Sequence, residues 1–287
     1  MSPIYSELDE IKNSLNQIQE PGAYYTKFTE PCKSFEIAIK NYGTLKLPLS
    51  KESAKELIQL AEHAKFGLGD KTILDLKVRN AWEVIANKIT IKGKGKKKLF
   101  DNALQKIKSE LGLAEKDLLE AELHNLLIYE EDQLFAPHQD SEKKKGMVAS
   151  LVIILPSPYE GGAFQLDHMG DKTTITSEDT PHDQFTFIAF YADCHHEVLK
   201  VTKGYRVALT FNLILKTTEI KIKKRPLLEI QPILNESISN YFNKIESQET
   251  TKSFRGPQPK RLVYLLDYEY TPDGISWDTL KNIDILR

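Results

Sequence analysis

The feature that most constrains this chain is the short pattern His138-Gln139-Asp140, followed much later by His196. On a β-strand, residues i and i+2 point to the same side, so His138 and Asp140 can reach one metal ion while Gln139 turns away. One strand cannot surround an ion, so a third ligand must come from elsewhere, and His196 is the candidate. Two imidazoles and one carboxylate suit non-haem Fe(II) that keeps open coordination positions. The pattern therefore predicts an iron site formed by His138, Asp140 and His196.

An arginine follows the second histidine, in the sequence Gly204-Tyr205-Arg206. The run from Tyr205 to Leu215 is rich in Val, Leu, Thr, Phe and Ile, which predicts a strand. An arginine on such a strand should not face a core without a partner. A 2-oxo dicarboxylate that chelates iron at one end would supply that partner, because a guanidinium can bind a carboxylate through two hydrogen bonds. We therefore expect Arg206 to bind the distal carboxylate of a 2-oxo acid.

These motifs together resemble those of the 2-oxoglutarate- and Fe(II)-dependent dioxygenases of the prolyl 4-hydroxylase type. The resemblance covers H-x-D and the stretch H-E-V-x-x-V-x-x-G-x-R that runs from His196 to Arg206. It extends to the glycine turn and strand at Glu160–Phe164, and a bacterial and fungal subgroup is also similar at Phe190–Cys194. The chain departs from many relatives at Ala208, where they carry Ser or Thr, which leaves some co-substrate contacts open.

The resemblance implies a set of cofactors and a reaction. Fe(II) would be bound by His138, Asp140 and His196, and 2-oxoglutarate by Arg206 with the help of Tyr129. O2 would be the second co-substrate, with ascorbate as a candidate reductant. The implied reaction hydroxylates a C–H bond and releases succinate and CO2. By analogy, the first candidate substrate is a prolyl or other residue of a protein or peptide.

The strand pattern predicts an α+β fold with a double-stranded β-helix core, which is a jelly roll of the cupin type with helices packed outside. Val148–Leu155 is an almost continuous apolar run, typical of a strand covered on both faces. Phe164–His168 and Lys172–Ile175 favour a hairpin. We expect a support region at residues 1–120, the oxygenase core at 121–216, and an extension at 217–287 that leads into a further domain.

The spacing of apolar residues predicts helices at several places outside the core. Tyr5–Gln19 and Leu99–Leu113 have apolar residues at helical intervals, and Ser50 is a good N-cap for a helix that should end near Gly67 and contain His63. Leu45–Leu49 is predicted as a short strand. Beyond the core, we expect a helix at Leu227–Ile245, a strand at Arg261–Tyr270 and a last helix from Ile275.

Composition excludes several classes of function. The net charge is −2, so no overall field attracts nucleic acid or a membrane surface. The two cysteines, Cys32 and Cys194, are too few for a disulfide framework, which favours a cytoplasmic location. No apolar run approaches the roughly 18 residues of a membrane-spanning helix. We therefore expect no membrane contact, and the charge does not favour a nucleic-acid partner. The sequence does not indicate an oligomeric state.

Two other functions remain open on the same fold. One is a metal-binding module for sensing or interaction that has no catalytic activity. The other is oxidation of a nucleic-acid base, which would need a basic groove with stacking aromatic residues. His195 competes with His196 as a ligand, although neighbours on a strand face opposite sides. The roles of Arg79, His168 and His182 are also open: each could line the mouth of the site or be an ordinary structural or surface residue.

Overall fold

The structure is a computed structural model that describes residues 3–16, 22–68, 71–113, 115–168, 170–216, 230–250 and 261–263. The helices in these ranges are α1 Pro3–Asn16, α2 Lys51–Ile58, α3 Lys96–Glu110 and α4 Ile230–Thr250. The strands before α3 are β1 Tyr25–Pro31, β2 Glu36–Ile39, β3 Gly43–Thr44, β4 Glu62–His63, β5 Phe66–Leu68, β6 Lys71–Ile73, β7 Arg79–Asn80, β8 Trp82–Ile85 and β9 Ile89–Lys92. The strands after α3 are β10 Leu118–Tyr129, β11 Leu134–His138, β12 Met147–Ile154, β13 Tyr159–Gly161, β14 Phe164–His168, β15 Asp171–Ile175, β16 Gln184–Tyr191, β17 His195–Val198, β18 Val201–Gly204 and β19 Arg206–Lys216.

Two antiparallel sheets form the core. The larger has seven strands in the order β1-β16-β12-β19-β10-β8-β4, and the smaller has five in the order β15-β14-β17-β11-β7. Aromatic contacts join the two sheets: the rings of Phe164 on β14 and Phe190 on β16 lie 5.4 Å apart between centroids. This arrangement is the predicted jelly roll, so the expected α+β fold class is confirmed.

The centre of the larger sheet is β12, between β16 and β19. All eight of its residues are buried, which confirms the strand predicted from the apolar run. Ser150 is the polar exception in this strand and is buried with its neighbours. The hairpin of β14 and β15 also forms where it was predicted, with Phe164 opposite Ile175. These elements place the strands that carry the candidate site around one apolar core.

Helix α3 packs outside the larger sheet. Its buried residue Ile107 and the C-cap Leu111 are both fully covered. The hydroxyl of Tyr191 on β16 donates a hydrogen bond to the carbonyl of Leu111, which joins the helix end to the sheet. The helix predicted at Leu99–Leu113 is thus present, although it begins at Lys96.

Two local predictions were wrong. The helix that begins after Ser50 ends at Ile58, although the hydroxyl of Ser50 accepts a hydrogen bond from the Ser53 backbone as a cap should. His63 lies instead on β4, opposite Trp82 on β8, with the two rings stacked 4.0 Å apart. That pairing outweighs helix propensity, which is a weak preference.

The segment Leu45–Leu49 is not a strand either. Leu45 and Leu49 are buried, and their N–H groups bond to Ile37 and Pro156 rather than to one partner strand. Pro48 between them has no N–H for a regular ladder. The apolar residues of this segment therefore fill the core without forming a sheet.

The chain divides into two compact units. The larger unit contains every described strand together with α2 and α3. The smaller contains α1 and α4, which pack together around Ile11 and Tyr241. Helix α1, which the sequence places in the N-terminal region 1–120, thus groups with a helix of the C-terminal region. The predicted helix from Ile275 and most of the predicted strand after Arg261 lie outside the described residues.

Two of the helix predictions concern this smaller unit. Helices are present at both places, as α1 at Pro3–Asn16 and as α4 at Ile230–Thr250. None of the helices in the described ranges combines the length and apolar character needed to cross a membrane.

A single aromatic contact is expected to carry much of the packing between the start of β16 and the segment that leads into β2. Phe185 is fully buried, and its ring stacks on Phe35 with centroids 4.2 Å apart. Phe185→Ala should lower the free energy of unfolding by about 3–5 kcal/mol in chemical denaturation. Leu118→Ala is the control, because Leu118 is 52% exposed and its truncation should cost no more than about 0.5 kcal/mol. Equal losses in the two variants would contradict this packing.

Candidate active site

The two candidate histidines face each other across a pair of strands. His138 ends β11 and lies opposite His196 on β17, with ring centroids 4.1 Å apart. The register of this pair shifts between Phe135 and His138. Pro137 lies in the shift, where its missing N–H interrupts a regular ladder. The chain thus brings together two imidazoles that are far apart in sequence.

Asp140 completes the cluster two residues beyond the end of β11. Its Oδ2 lies 3.7 Å from Nε2 of His196, and one ligand atom from each of the three residues lies within 4.8 Å of the others. The hydroxyl of Ser150 on β12 donates a hydrogen bond to the same carboxylate oxygen at 2.5 Å. We call His138, Asp140 and His196 the triad. Its donor set of two nitrogens and one carboxylate suits Fe(II) with open positions.

Backbone carbonyls fix the orientation of both rings. Nδ1 of His138 lies 2.9 Å from the carbonyl oxygen of Ala136, and Nδ1 of His196 lies 3.0 Å from that of Cys194. A carbonyl can only accept, so each Nδ1 carries the proton. Each Nε2 is then left with its lone pair toward the centre of the triad, which is the form that a metal binds.

The pKa values of His138 and Asp140 favour the metal-binding forms of these two residues. Burial, followed by the neighbouring charge of His196, lowers the pKa of His138 to about 3, so its ring is neutral near neutral pH. Burial also raises the pKa of Asp140, but the charges of His196 and His138 and the Ser150 hydrogen bond outweigh it, and the net shift is downward. Asp140 is therefore a carboxylate at neutral pH.

Arg206 begins β19 in the larger sheet and is only 2% exposed. Within the described residues, its Nε and Nη2 have no hydrogen-bond partner and no carboxylate forms an ion pair with it. Its guanidinium carbon lies 5.6 Å from the ring centroid of Tyr129, which is its strand partner on β10, and 5.9 Å from that of Phe164. A buried cation without an acid is costly, so this group is suited to an anionic ligand.

The ring of Phe164 connects Arg206 to the triad. Its centroid lies 5.8 Å from that of His196 and 5.9 Å from the guanidinium carbon of Arg206. The preceding turn is tight: Gly162 has φ +58°, and a Cβ there would lie 2.8 Å from Val201 and 3.1 Å from the Arg206 side chain. Glycine at this position therefore leaves the arginine its space, as the glycine turn in the sequence indicated.

Tyr129 is 1% exposed beside the two buried arginines of this region. Burial raises the pKa of its hydroxyl, although the charges of Arg79 and Arg206 and a hydrogen bond with Arg79 act in the opposite direction. The hydroxyl therefore remains protonated at neutral pH and can donate a hydrogen bond.

Arg79 belongs to this region and is not an ordinary surface residue, because it is only 8% exposed. It is buried on β7, its Nη1 donates to the Lys65 carbonyl at 2.5 Å, and its guanidinium lies 4.6 Å from the Phe135 ring. Phe135 in turn stacks on His138 with centroids 3.5 Å apart. Arg79 therefore supports the triad through Phe135.

The remaining candidates lie elsewhere. His195 is exposed, on the face of β17 opposite His196, and His182 is exposed on the loop before β16. His168 ends β14 and approaches Asp193, away from the triad. Sequence reasoning missed Ser150, whose signal was a polar residue inside an apolar run. It also missed the two carbonyls, for which no side-chain pattern exists.

The lowered pKa of His138 leads to an expected pH dependence of stability. The folded protein resists protonation of this ring, whereas the unfolded chain takes up the proton at the ordinary imidazole pKa of about 6.5. The metal-free protein should therefore lose stability as the pH falls from that value toward the lowered one, as measured by denaturation at successive pH values. His138→Gln should flatten this dependence, and His182→Gln should leave it unchanged. If the free energy of unfolding depended on pH equally in both variants, His138 would not be the source of the effect.

Comparisons with known proteins bear on this site. Residues 124–214 match the model of the 2OG-Fe(II) oxygenase superfamily. Among solved structures, the chain is similar to a prolyl-4-hydroxylase from Pseudomonas putida, with 13% identity, 71% of this chain and 98% of that chain covered, and a TM-score of 0.41. It is also similar to a prolyl hydroxylase from Trichoplax adhaerens in complex with a hypoxia inducible factor peptide fragment, with 13% identity, 73% and 92% covered, and a TM-score of 0.40.

A 2OG-Fe(II) oxygenase family oxidoreductase from Burkholderia pseudomallei has 14% identity, 71% and 90% covered, and a TM-score of 0.37. Likenesses at this level carry no conclusion about substrate or reaction. No curated protein sequence matches the chain. The segment that matches this family model, residues 124–214, contains all three triad residues together with Tyr129 and Arg206.

Proposed function

We propose that this protein is an Fe(II)- and 2-oxoglutarate-dependent dioxygenase that hydroxylates a C–H bond in a protein or peptide and releases succinate and CO2. The observation that carries the proposal is the triad together with the buried guanidinium of Arg206, which has no acidic partner in the described residues and lies 5.9 Å from the Phe164 ring. A metal centre alone would explain the triad. The unpaired arginine beside it adds a place for the carboxylate of a second ligand.

The triad residues fit Fe(II) in both chemistry and protonation. His138 and His196 present Nε2 because their Nδ1 atoms are bonded to backbone carbonyls, and Asp140 is held by Ser150. Three protein ligands leave the remaining positions for the co-substrate and oxygen. When bound, iron and 2-oxoglutarate supply the oxidation, in which one oxygen atom of O2 enters succinate and the other enters the product hydroxyl.

Arg206 and Tyr129 would hold the distal carboxylate of 2-oxoglutarate. The unpaired Nε and Nη2 atoms of Arg206 are two donors that can bind both carboxylate oxygens. The protonated hydroxyl of Tyr129, on the neighbouring strand, is a further donor. Binding would thus neutralise a cation that the metal-free fold already keeps buried.

Aromatic side chains line the two histidines of the triad. Phe135 stacks on His138, and Phe190 lies 4.6 Å from the His196 ring between centroids. Phe164 contacts His196 from a third direction. Such walls keep a reactive site dry and strengthen the electrostatic interactions inside it. They support a role in oxidation rather than a non-catalytic metal-binding module.

The assignment of a protein or peptide substrate rests on the motifs of the prolyl 4-hydroxylase type in the sequence. It is tested by incubating the purified protein with Fe(II), 2-oxoglutarate and ascorbate, together with proline-containing peptides or a proteome digest. Mass spectrometry should detect the gain of one oxygen atom in a residue, dependent on 2-oxoglutarate. Oxygen gain only in nucleic-acid bases would assign the alternative substrate, and iron binding without any succinate would favour a non-catalytic module.

Substitution of the triad should remove both metal binding and turnover. His138→Ala and Asp140→Ala each delete a ligand, so iron content after reconstitution and succinate release should both fall to background. His195→Ala is the matched control: it removes the adjacent but exposed imidazole and should keep bound iron and turnover. Loss of iron in His195→Ala with retention in a His196→Ala variant would show that the third ligand is wrongly assigned.

Arg206→Ala should act mainly on the co-substrate. Loss of a charge-assisted pair costs about 2–5 kcal/mol, so the 2-oxoglutarate requirement should rise by about 30-fold or more. Iron binding should persist, because Arg206 is not part of the triad. Gly162→Ala, which crowds the Arg206 side chain, should shift the same parameter in the same direction. An unchanged 2-oxoglutarate requirement in Arg206→Ala would refute its role.

A further inference from the structure

We propose that His168, Asp193 and Cys194 form a second metal site, separate from the triad and suited to Zn²⁺. One ligand atom from each residue lies within 4.8 Å of the other two. Nδ1 of His168 is 3.8 Å from Oδ2 of Asp193. Asp193 and Cys194 are buried, and His168 is partly buried. This proposal does not depend on the function proposed above.

The donor set favours zinc over other divalent ions. It combines an imidazole nitrogen, a carboxylate oxygen and a thiolate sulfur, all of which are zinc ligands, whereas magnesium and calcium prefer oxygen alone. Zinc bonds of these types place tetrahedral ligand atoms roughly 3.3–3.6 Å apart. The 3.8 Å distance between Nδ1 of His168 and Oδ2 of Asp193 would need to shorten by about 0.4 Å, and the wider span of the cluster by about 1 Å. Three protein ligands leave the fourth position to water.

The cluster is held in place before any metal binds. His168 ends β14, whereas Asp193 and Cys194 lie in the turn between β16 and β17. The ring of Tyr24 stacks on His168 with centroids 5.2 Å apart, and the Cys194 thiol approaches the Tyr24 carbonyl at 3.8 Å. The side-chain amide of Gln139 donates a hydrogen bond to the Asp193 carbonyl. Contacts on several sides therefore limit how far the three ligands can separate.

Metal binding here would also stabilise the triad. The carbonyl of Cys194 accepts the Nδ1 hydrogen bond that orients His196. When the metal–sulfur bond forms, the Cys194 thiol releases its proton to solvent and the metal fixes the residue that carries this carbonyl. The second site would thus act as a positioning device for one ligand of the first.

Cobalt substitution distinguishes the two sites. Co²⁺ bound by thiolate has an intense near-ultraviolet charge-transfer band, and the triad has no sulfur ligand. Titration of the full, metal-free chain with Co²⁺, in a reductant without thiols, should produce this band, while any Co²⁺ bound by the triad adds nothing to it. Zn²⁺ added afterwards should abolish it. Asp140→Ala, which disrupts the triad, should leave the band intact, so failure of the iron site and failure of this site are separable.

The two cysteines provide a matched pair of variants. Cys194→Ser should abolish the band, and Cys32→Ser should retain it, because Cys32 is not part of the cluster. If Cys194→Ser does not fold, His168→Ala and Asp193→Asn should weaken Co²⁺ binding at the band by about tenfold or more. A folded wild-type chain without the band, or a band that survives in Cys194→Ser, would overturn the proposal and leave only the His168–Asp193 ion pair.

Discussion

The site depends on one strand pairing, that of β11 with β17, which sets His138 opposite His196. Because side chains alternate along a strand, a slip of one residue would turn His196 away and bring exposed His195 toward the centre. The neighbouring pair of β14 with β17, in which Leu166 lies opposite His196, holds the same register from the other side. The chemistry of the site therefore follows from main-chain hydrogen bonds before any ligand is present.

The larger sheet supplies the polar side chains around the triad that the smaller sheet does not carry. Asp140 leaves β11 and is held by Ser150 from β12, and Arg206 enters from β19. Phe164 and Phe190 fill the space between these groups. The cluster is thus assembled from both sheets around an apolar centre, where charges interact more strongly than in water.

Residue types and spacing were enough to predict the jelly roll, its central strand β12 and a cluster of His138, Asp140 and His196. They were not enough for the helix after Ser50, since the stacking of His63 on Trp82 is a contact between distant segments. The burial of Arg79 was missed for the same reason: its partners Phe135, Lys65 and Tyr129 are not its sequence neighbours. Carbonyl acceptors such as those of Ala136 and Cys194 leave no mark on a sequence, because every residue has one.

Arg206 has a consequence for the lifetime of the folded chain as well as for catalysis. A buried cation without a counter-ion lowers the stability of the ligand-free fold. An anion that binds beside it raises the free energy of unfolding, and the increase grows with the anion's concentration. Resistance to unfolding would then rise with the concentration of a small dicarboxylate, and cleavage by proteases would fall, even in a chain that performs no turnover. The same side chain would make the persistence of this protein responsive to metabolism.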